Sequence, residues 1–356
     1  MLTEAWQRAG QATTFVEVPS YRTALGRLAR VTGRASGPAV VSPWPSYPAR
    51  AWTTLSPQRL EHSISRRSAA LRRRLDASLD WSETVAVITS PVWAPWLDEL
   101  PFRAVIYDCI DDLTVHVPHP RLQPLYERWE DELIARAAAA VVSAEILADG
   151  LRARRPALEV TTIRNGVDCA DFHPRGGAAR RPRDLPPTGR PLVGFVGALY
   201  EWLDWALVRK IASEFDEVDF VFVGPKTGGS APPRGENLFY TGPKPYADVP
   251  AYIEACDVCW VPFKSGDVAS AANPVKIYEY LAMGKPVVST PIADPQSFAG
   301  RVAFAEGASA VAAELARAIG RREGPDLAGI EYAKANSWDR RASRYVEFVT
   351  NCAASK

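Results

Sequence analysis

The sequence predicts an α/β protein of two doubly wound, largely parallel-sheet domains. Three observations carry this. Short β-branched runs alternate with Ala-, Leu- and Arg-rich helical stretches, the pattern of βαβ units. A chain of 356 residues with 47% hydrophobic content has enough apolar material for two cores. Between the halves lies RGGAARRPRDLPPTGR, Arg175–Arg190, dense in Gly, Pro and Arg and without apolar periodicity, which reads as a linker.

In the first half the expected strands are Thr14–Val18, Ala39–Ser42, Val85–Thr89, Ala104–Tyr107, Ala139–Ser143 and Val160–Ile163, with helical patterns that include Glu61–Leu79 and Leu122–Ala138. After the linker, PLVGFVGAL, VDFVFVG, NLFYTG, VCWVPF, KPVVST and VAFAEG supply six more strands, each next to a helical pattern or a Gly/Pro turn. Trp338–Thr350 is a final helix whose Trp338, Tyr345, Phe348 and Val349 fall near the helical period, so it should dock on a core. The expected division is 1–174, a linker at 175–190, 191–335, and a terminal segment 336–356 returning to the first domain.

With 42 basic and 41 acidic residues the chain has a net charge of +1, which argues against a nucleic-acid binder relying on a basic face. Five scattered cysteines suit a reducing compartment, and the one close pair, Cys256 and Cys259, lacks the second pair or His cluster that a metal site needs. No apolar run is long enough for a bilayer span or a secretory leader, so a cytoplasmic location is expected. The Arg-rich stretch Ser65–Leu75 can touch anionic lipid at the inner membrane surface, or form an ordinary solvated helix face.

ANPVKIYEYLAMGKPVVSTP, Ala272–Pro291, resembles the donor-binding helix and following strand of bacterial glycosyltransferases of the two-Rossmann (GT-B) fold, most like family 4. IRNGVDCADFHP, Ile163–Pro174, is similar to the turn that closes the first domain in that group, and VGFVGALYEWLDWALV resembles the opening of its second. IYDCIDDL, Ile106–Leu113, is similar to a motif of a bacterial subgroup associated with cell-surface polysaccharides. The resemblance spans most of the chain. It implies two domains facing a cleft and transfer of a sugar from a nucleoside diphosphate, of UDP or GDP type, to a saccharide, lipid-linked or small-molecule acceptor. Neither a bound catalytic metal nor a further cofactor is implied.

The residues suit that chemistry. A departing diphosphate gathers negative charge, which free amides at a helix N-terminus and a nearby cation stabilise. Asn273, Pro274, Val275 and Lys276 offer both, with Pro274 suited to the first helical turn, where its missing amide hydrogen costs nothing. Glu279, three residues on, shares a helix face with Lys276, and by resemblance its carboxylate accepts the ribose hydroxyls. The pair also reads as a surface ion pair. Gly197 can admit a phosphate to the backbone or simply make a tight turn. By resemblance the loop with Lys244 and Tyr246 approaches the nucleobase; otherwise it is a Pro-rigidified turn.

On the acceptor side Asp111 and Asp112 follow a strand and can bind or deprotonate a hydroxyl, Asp111 matching an acidic position of the family motif, with helix capping the plainer alternative. Trp93 and Trp96 can stack on a sugar or pack a short helix. His116 is a further acceptor-side candidate, in a Pro-rich loop where a histidine is often only exposed.

Departures from the family are equally visible. Ala271 stands where a first glutamate is expected, Ile110 where a histidine is expected, and Leu199, Tyr200, Glu201 and Trp202 occupy the stretch expected to carry an Arg and a Lys. LTEAWQRAGQ already reads as the first helix, so the first strand of the N-terminal domain is expected to be missing. These departures keep three alternatives open: an inverting rather than a retaining outcome, a catalytically degenerate nucleotide-sugar-binding or scaffold protein, and a nucleotide-sugar epimerase on the same fold.

Overall fold

The computed structural model of the chain describes residues 2–8, 10–11, 14–16, 39–41, 59, 61, 68–73, 75–112, 120–176, 181–187, 189–226, 231–266, 271–321 and 324–354. It divides into two compact units, Met1–Ile163 with Ala342–Lys356, and Arg164–Arg341. Both are parallel-sheet α/β domains, and every strand expected from the sequence forms.

In the first unit helix α1 (Leu2–Arg8) precedes β1 (Thr14–Val16) and β2 (Ala39–Val41), which pair in parallel as a small sheet. A second parallel sheet runs β3 (Val85–Ile88), β4 (Ala104–Cys109), β5 (Ala139–Val142) and β6 (Glu159–Thr162) in spatial order. Helices α2 (Gln123–Arg136) and α3 (Glu145–Arg154) make the crossovers into β5 and β6. The strands that should be most buried are: all four residues of β5 are inaccessible, as are Trp129 and Leu133 on the inner face of α2. The one acid on that face, Glu130, accepts a 2.6 Å hydrogen bond from Tyr107 Oη and pairs with Arg154, so its burial is compensated. The stretch Glu61–Leu79, expected as a helix, lies partly outside the described residues.

The second unit has one six-stranded parallel sheet in the order β12, β11, β10, β7, β8, β9, formed by β7 (Leu192–Val196), β8 (Asp219–Val223), β9 (Leu238–Gly242), β10 (Val258–Val261), β11 (Val287–Ser289) and β12 (Val302–Phe304). Read from β9 this is the 3-2-1-4-5-6 order of a dinucleotide-type sheet, which reverses between β7 and β10. Helices α4 (Trp205–Glu214), α5 (Val249–Ala255), α6 (Val275–Ala282), α7 (Ala308–Gly320) and α8 (Leu327–Ala335) complete the unit. Local chemistry sets their limits: the Asp204 carboxylate caps α4 through the Leu207 amide, and Gly284, at φ 66°, lets the chain leave α6. Among the described residues no helix is long and apolar enough to cross a membrane.

The division between units falls at Ile163 and Arg164 rather than after Pro174. Val167 and Phe172 are buried in the core of the second unit, and the Val167 carbonyl accepts from the Trp338 amide at 2.9 Å. The described residues of 175–190, expected as a linker, also belong to that unit, because Leu185 is buried in its core and Asp184 holds Lys244 and Tyr252. Helix α9 (Trp338–Ala354) starts in the second unit, and its residues from Ala342 onward group with the first. There Tyr345 and Cys352 join the core formed by Ile106, Ala139, Val141 and Ile163, with the Trp6 ring centroid 4.9 Å from that of Tyr345.

Candidate functional site

In open α/β sheets ligands bind beyond the carboxyl ends of the strands where the strand order reverses. In the second unit that point lies between β7 and β10, whose pairing ends at Gly194 opposite Cys259. Beyond it Tyr280, on α6, takes over: its hydroxyl accepts from the Val196 amide at 2.8 Å and donates to the Val196 carbonyl at 3.2 Å. One turn earlier on the same face stands Lys276. Gly197, the residue after β7, receives its side chain, since a Cβ at Gly197 would lie 1.7 Å from Lys276 Cε and 2.4 Å from Nζ. The ammonium sits 5.9 Å from the centroid of the Phe195 ring.

Helix α6 starts at Val275, with Pro274 as its N-cap at φ −69° and ψ 120°. Pro274 therefore stands one position ahead of the first helical turn, because its ψ is extended. Among the described residues nothing accepts from the amides of Val275 and Lys276, and the first amide to be paired is that of Ile277, to the Pro274 carbonyl at 3.2 Å. Two open amides and a cation thus share the switch point, a ready anion-binding arrangement. Glu279 is 8% exposed, and neither its carboxylate nor the Lys276 ammonium forms a hydrogen bond or close ion pair with a described residue. Burial pulls the Lys276 ammonium below its ordinary pKa, with Glu279 opposing, and pushes the Glu279 carboxyl up, with Lys276 opposing. A surface ion pair does neither. Two uncompensated polar groups held in partial burial are what a ligand-binding site needs.

The remaining residues expected around a donor lie differently. Asn273 is buried with its side-chain oxygen engaged: Oδ1 accepts from the Asn165 amide at 3.0 Å and from Tyr278 Oη at 3.1 Å. Lys244 forms a 2.6 Å ion pair with Asp184 and lies over the Tyr252 ring, so its charge is already engaged. Tyr246 is 46% exposed in a short 3-10 turn, its ring edge-on to Phe172. Ala271, where an acid is absent, is buried.

In the first unit Asp111 and Asp112 follow β4, both half-buried, with the Asp112 amide donating to Asp111 Oδ1 at 3.0 Å. The strand-end itself is fixed from β5, where Ser143 Oγ donates to the Ile110 carbonyl at 2.7 Å. Trp93 and Trp96 lie in the 3-10 turn Pro91–Trp96, both buried, with ring centroids 5.4 Å apart and the turn packed on α2. Packing, the plainer of the two readings, is what the structure gives them. His116 lies outside the described residues.

Residues 190–321 match the family described as glycosyl transferases group 1. A protein of Bacillus subtilis (strain 168) named "Putative teichuronic acid biosynthesis glycosyltransferase TuaH" is 33% identical over 137 residues, which is 37% of this chain and 34% of that protein. The match thus spans about a third of that relative. Among solved structures, sucrose-phosphate synthase from Thermosynechococcus elongatus has a TM-score of 0.72 at 15% identity, over 100% of this chain and 92% of that one. Anabaena HepE in complex with UDP-glucose has a TM-score of 0.61 at 12% identity, over 80% and 82%. The fold is similar to that of GT-B glycosyltransferases.

Sequence reasoning passes over three groups that the structure makes prominent. Asn165 hydrogen-bonds Asn273 just ahead of α6, and Arg164 forms a 2.8 Å ion pair with Asp294, which sits at φ 48° after β11. Asp108, at the end of β4, is buried, and burial pushes its carboxyl up to about 7, the neighbouring Tyr345 acting in the opposite direction. Only Asp108 carries a local signal, an acid inside an otherwise apolar strand.

Proposed function

We propose that the chain is a glycosyltransferase that moves a sugar from a nucleoside-diphosphate sugar, of UDP or GDP type, to a saccharide or lipid-linked acceptor in cell-surface polysaccharide synthesis, at the cytoplasmic face of the membrane and without a catalytic metal. The observation that carries it is the Lys276 side chain laid on Gly197 beside the open amides of Val275 and Lys276 at the switch point. In this reading the amides and ammonium meet the growing charge of the leaving diphosphate, Glu279 takes the ribose hydroxyls, and Asp111 or Asp112 activates the acceptor hydroxyl. The family match over 190–321, the B. subtilis relative and the UDP-glucose complex of HepE support the donor class.

The test is release of UDP or GDP from their common sugar conjugates by the purified chain, with and without chelator. Turnover that survives chelation and is lost in Lys276→Ala is expected. Nucleotide-sugar binding without turnover, whatever acceptor is supplied, would instead support a degenerate binding protein, a reading favoured by Ala271 and by the absent Arg and Lys after Gly197.

A further inference from the structure

Asn165 makes a two-point bracket with Asn273, the residue immediately before the N-cap of α6. Its backbone amide donates to Asn273 Oδ1 at 3.0 Å, and its side-chain Nδ2 donates to the Asn273 carbonyl at 2.6 Å. Tyr278, within α6, donates to the same Oδ1 at 3.1 Å. Both oxygens of Asn273 are thereby fixed by Asn165 from outside the helix, and Oδ1 by Tyr278 from inside it as well. The peptide that follows Asn273 leads directly into the amides of Val275 and Lys276.

The other side of the bracket is equally constrained. Gly166 lies against the Asn336 carbonyl, where a Cβ would come within 2.7 Å of the oxygen, and Val167 exchanges backbone bonds with Asn336 and Trp338. Arg164 is held by Asp294. Asn165 therefore stands on a backbone gripped at both neighbours, and it transmits that position to the start of α6. We propose that Asn165 is a positioning residue for donor binding: it sets the pose of the Val275 and Lys276 amides toward the diphosphate without touching the ligand. This rests on the reading of that helix start as the diphosphate site.

The experiment is calorimetric titration of the full chain with UDP and GDP and with uridine and guanosine, for the wild type, Lys276→Ala, Asn165→Ala and Asn165→Asp. The aspartate is isosteric but sets a carboxylate against the Asn273 carbonyl, so it tests the bracket with little change in packing and carries the test alone if the alanine variant does not fold. Diphosphate affinity is expected to fall about tenfold or more, since misplacing a preorganised donor by a fraction of an ångström has effects of that order, with Asp at least as severe as Ala. Nucleoside affinity should not change, which a general loss of structure would not allow. Equal weakening for nucleoside and diphosphate, or unchanged diphosphate affinity while Lys276→Ala weakens it, overturns the positioning role alone. Diphosphate affinity indifferent to Lys276→Ala overturns the underlying site and the proposal with it.

Discussion

Gly197→Ala separates the binding role of the switch point from its structural role. The added methyl would lie 1.7 Å from Lys276 Cε, 2.4 Å from Nζ and 2.9 Å from Cδ. All three atoms belong to the end of one flexible side chain, so the Lys276 side chain swings away, while the Gly197 φ of 159° adds backbone strain for any L side chain. Under the proposed function, what is lost is the ammonium at the diphosphate. A hydrogen bond involving a charged group contributes roughly 1.5–3 kcal/mol, or about ten- to 150-fold in affinity. Gly197→Ala should therefore weaken UDP or GDP binding to the level of Lys276→Ala, with a fall in thermal midpoint set by backbone strain alone.

Gly224→Ala supplies the contrast. Its methyl would meet the Gly197 carbonyl oxygen at 2.0 Å and carbon at 2.6 Å, backbone atoms that can yield only if the ends of β7 and β8 separate. Overpacking of that kind typically costs about 1–3 kcal/mol, seen as a lowered melting temperature before any effect on nucleotide. Calorimetry and thermal denaturation on the two variants decide the matter. Undiminished diphosphate binding by Gly197→Ala, alongside weak binding by Lys276→Ala, would refute the steric link between glycine and lysine.

Glu279→Gln should weaken nucleotide binding about tenfold, by loss of charged hydrogen bonds to ribose, yet leave the free protein as stable or more so at neutral pH, because burial already disfavours the carboxylate there; paired calorimetry and melting curves check both halves. Asp108→Asn should flatten the dependence of stability on pH. The Asp108 carboxyl rises from 3.8 to about 7 on folding, so its contribution is full below 3.8 and declines as pH rises through about 7, by on the order of 4 kcal/mol. Melting temperatures of the two proteins from pH 4 to about pH 8 should diverge, the wild type falling faster. Gly166→Ala should destabilise the protein by about 1–3 kcal/mol, since its methyl meets the Asn336 carbonyl oxygen at 2.7 Å; denaturant titration measures this directly.

The six-stranded sheet was legible in the sequence because a buried parallel strand needs an almost unbroken apolar run, and LVGFV, DFVFV and VCWV are such runs bounded by turn residues. The start of α6 was legible for a similar local reason. A proline, a lysine and a glutamate at consecutive turn positions specify a helix N-terminus, a charge beside it and an acid on the same face, whatever surrounds them. Domain limits were harder to see. Gly, Pro and Arg density marks 175–190 as irregular but cannot say whether irregular chain is free or docked, and the docking is done by Leu185 and by Asp184 toward Lys244 and Tyr252.

The contacts that no local pattern announces are those made across sequence distance. Asn165 and Asn273 are 108 residues apart and Arg164 and Asp294 are 130 apart, so neither pair leaves a periodicity to find. Trp93 and Trp96 show the converse. The sequence leaves stacking on a sugar and packing of a short helix both open, but a short 3-10 turn carrying two indoles has more apolar surface than its backbone can leave in water, and it folds onto α2. The same reasoning explains why Lys276 and Glu279 stand out. The chain compensates Glu130 with Tyr107 and Arg154, and Lys244 with Asp184, yet leaves a buried acid and a half-buried lysine without close partners at the point where strand order reverses. Buried polar atoms without partners occur elsewhere too, as at Thr162 Oγ1 and Thr241 Oγ1, but here an acid and a cation lie together at the end of the sheet where ligands bind.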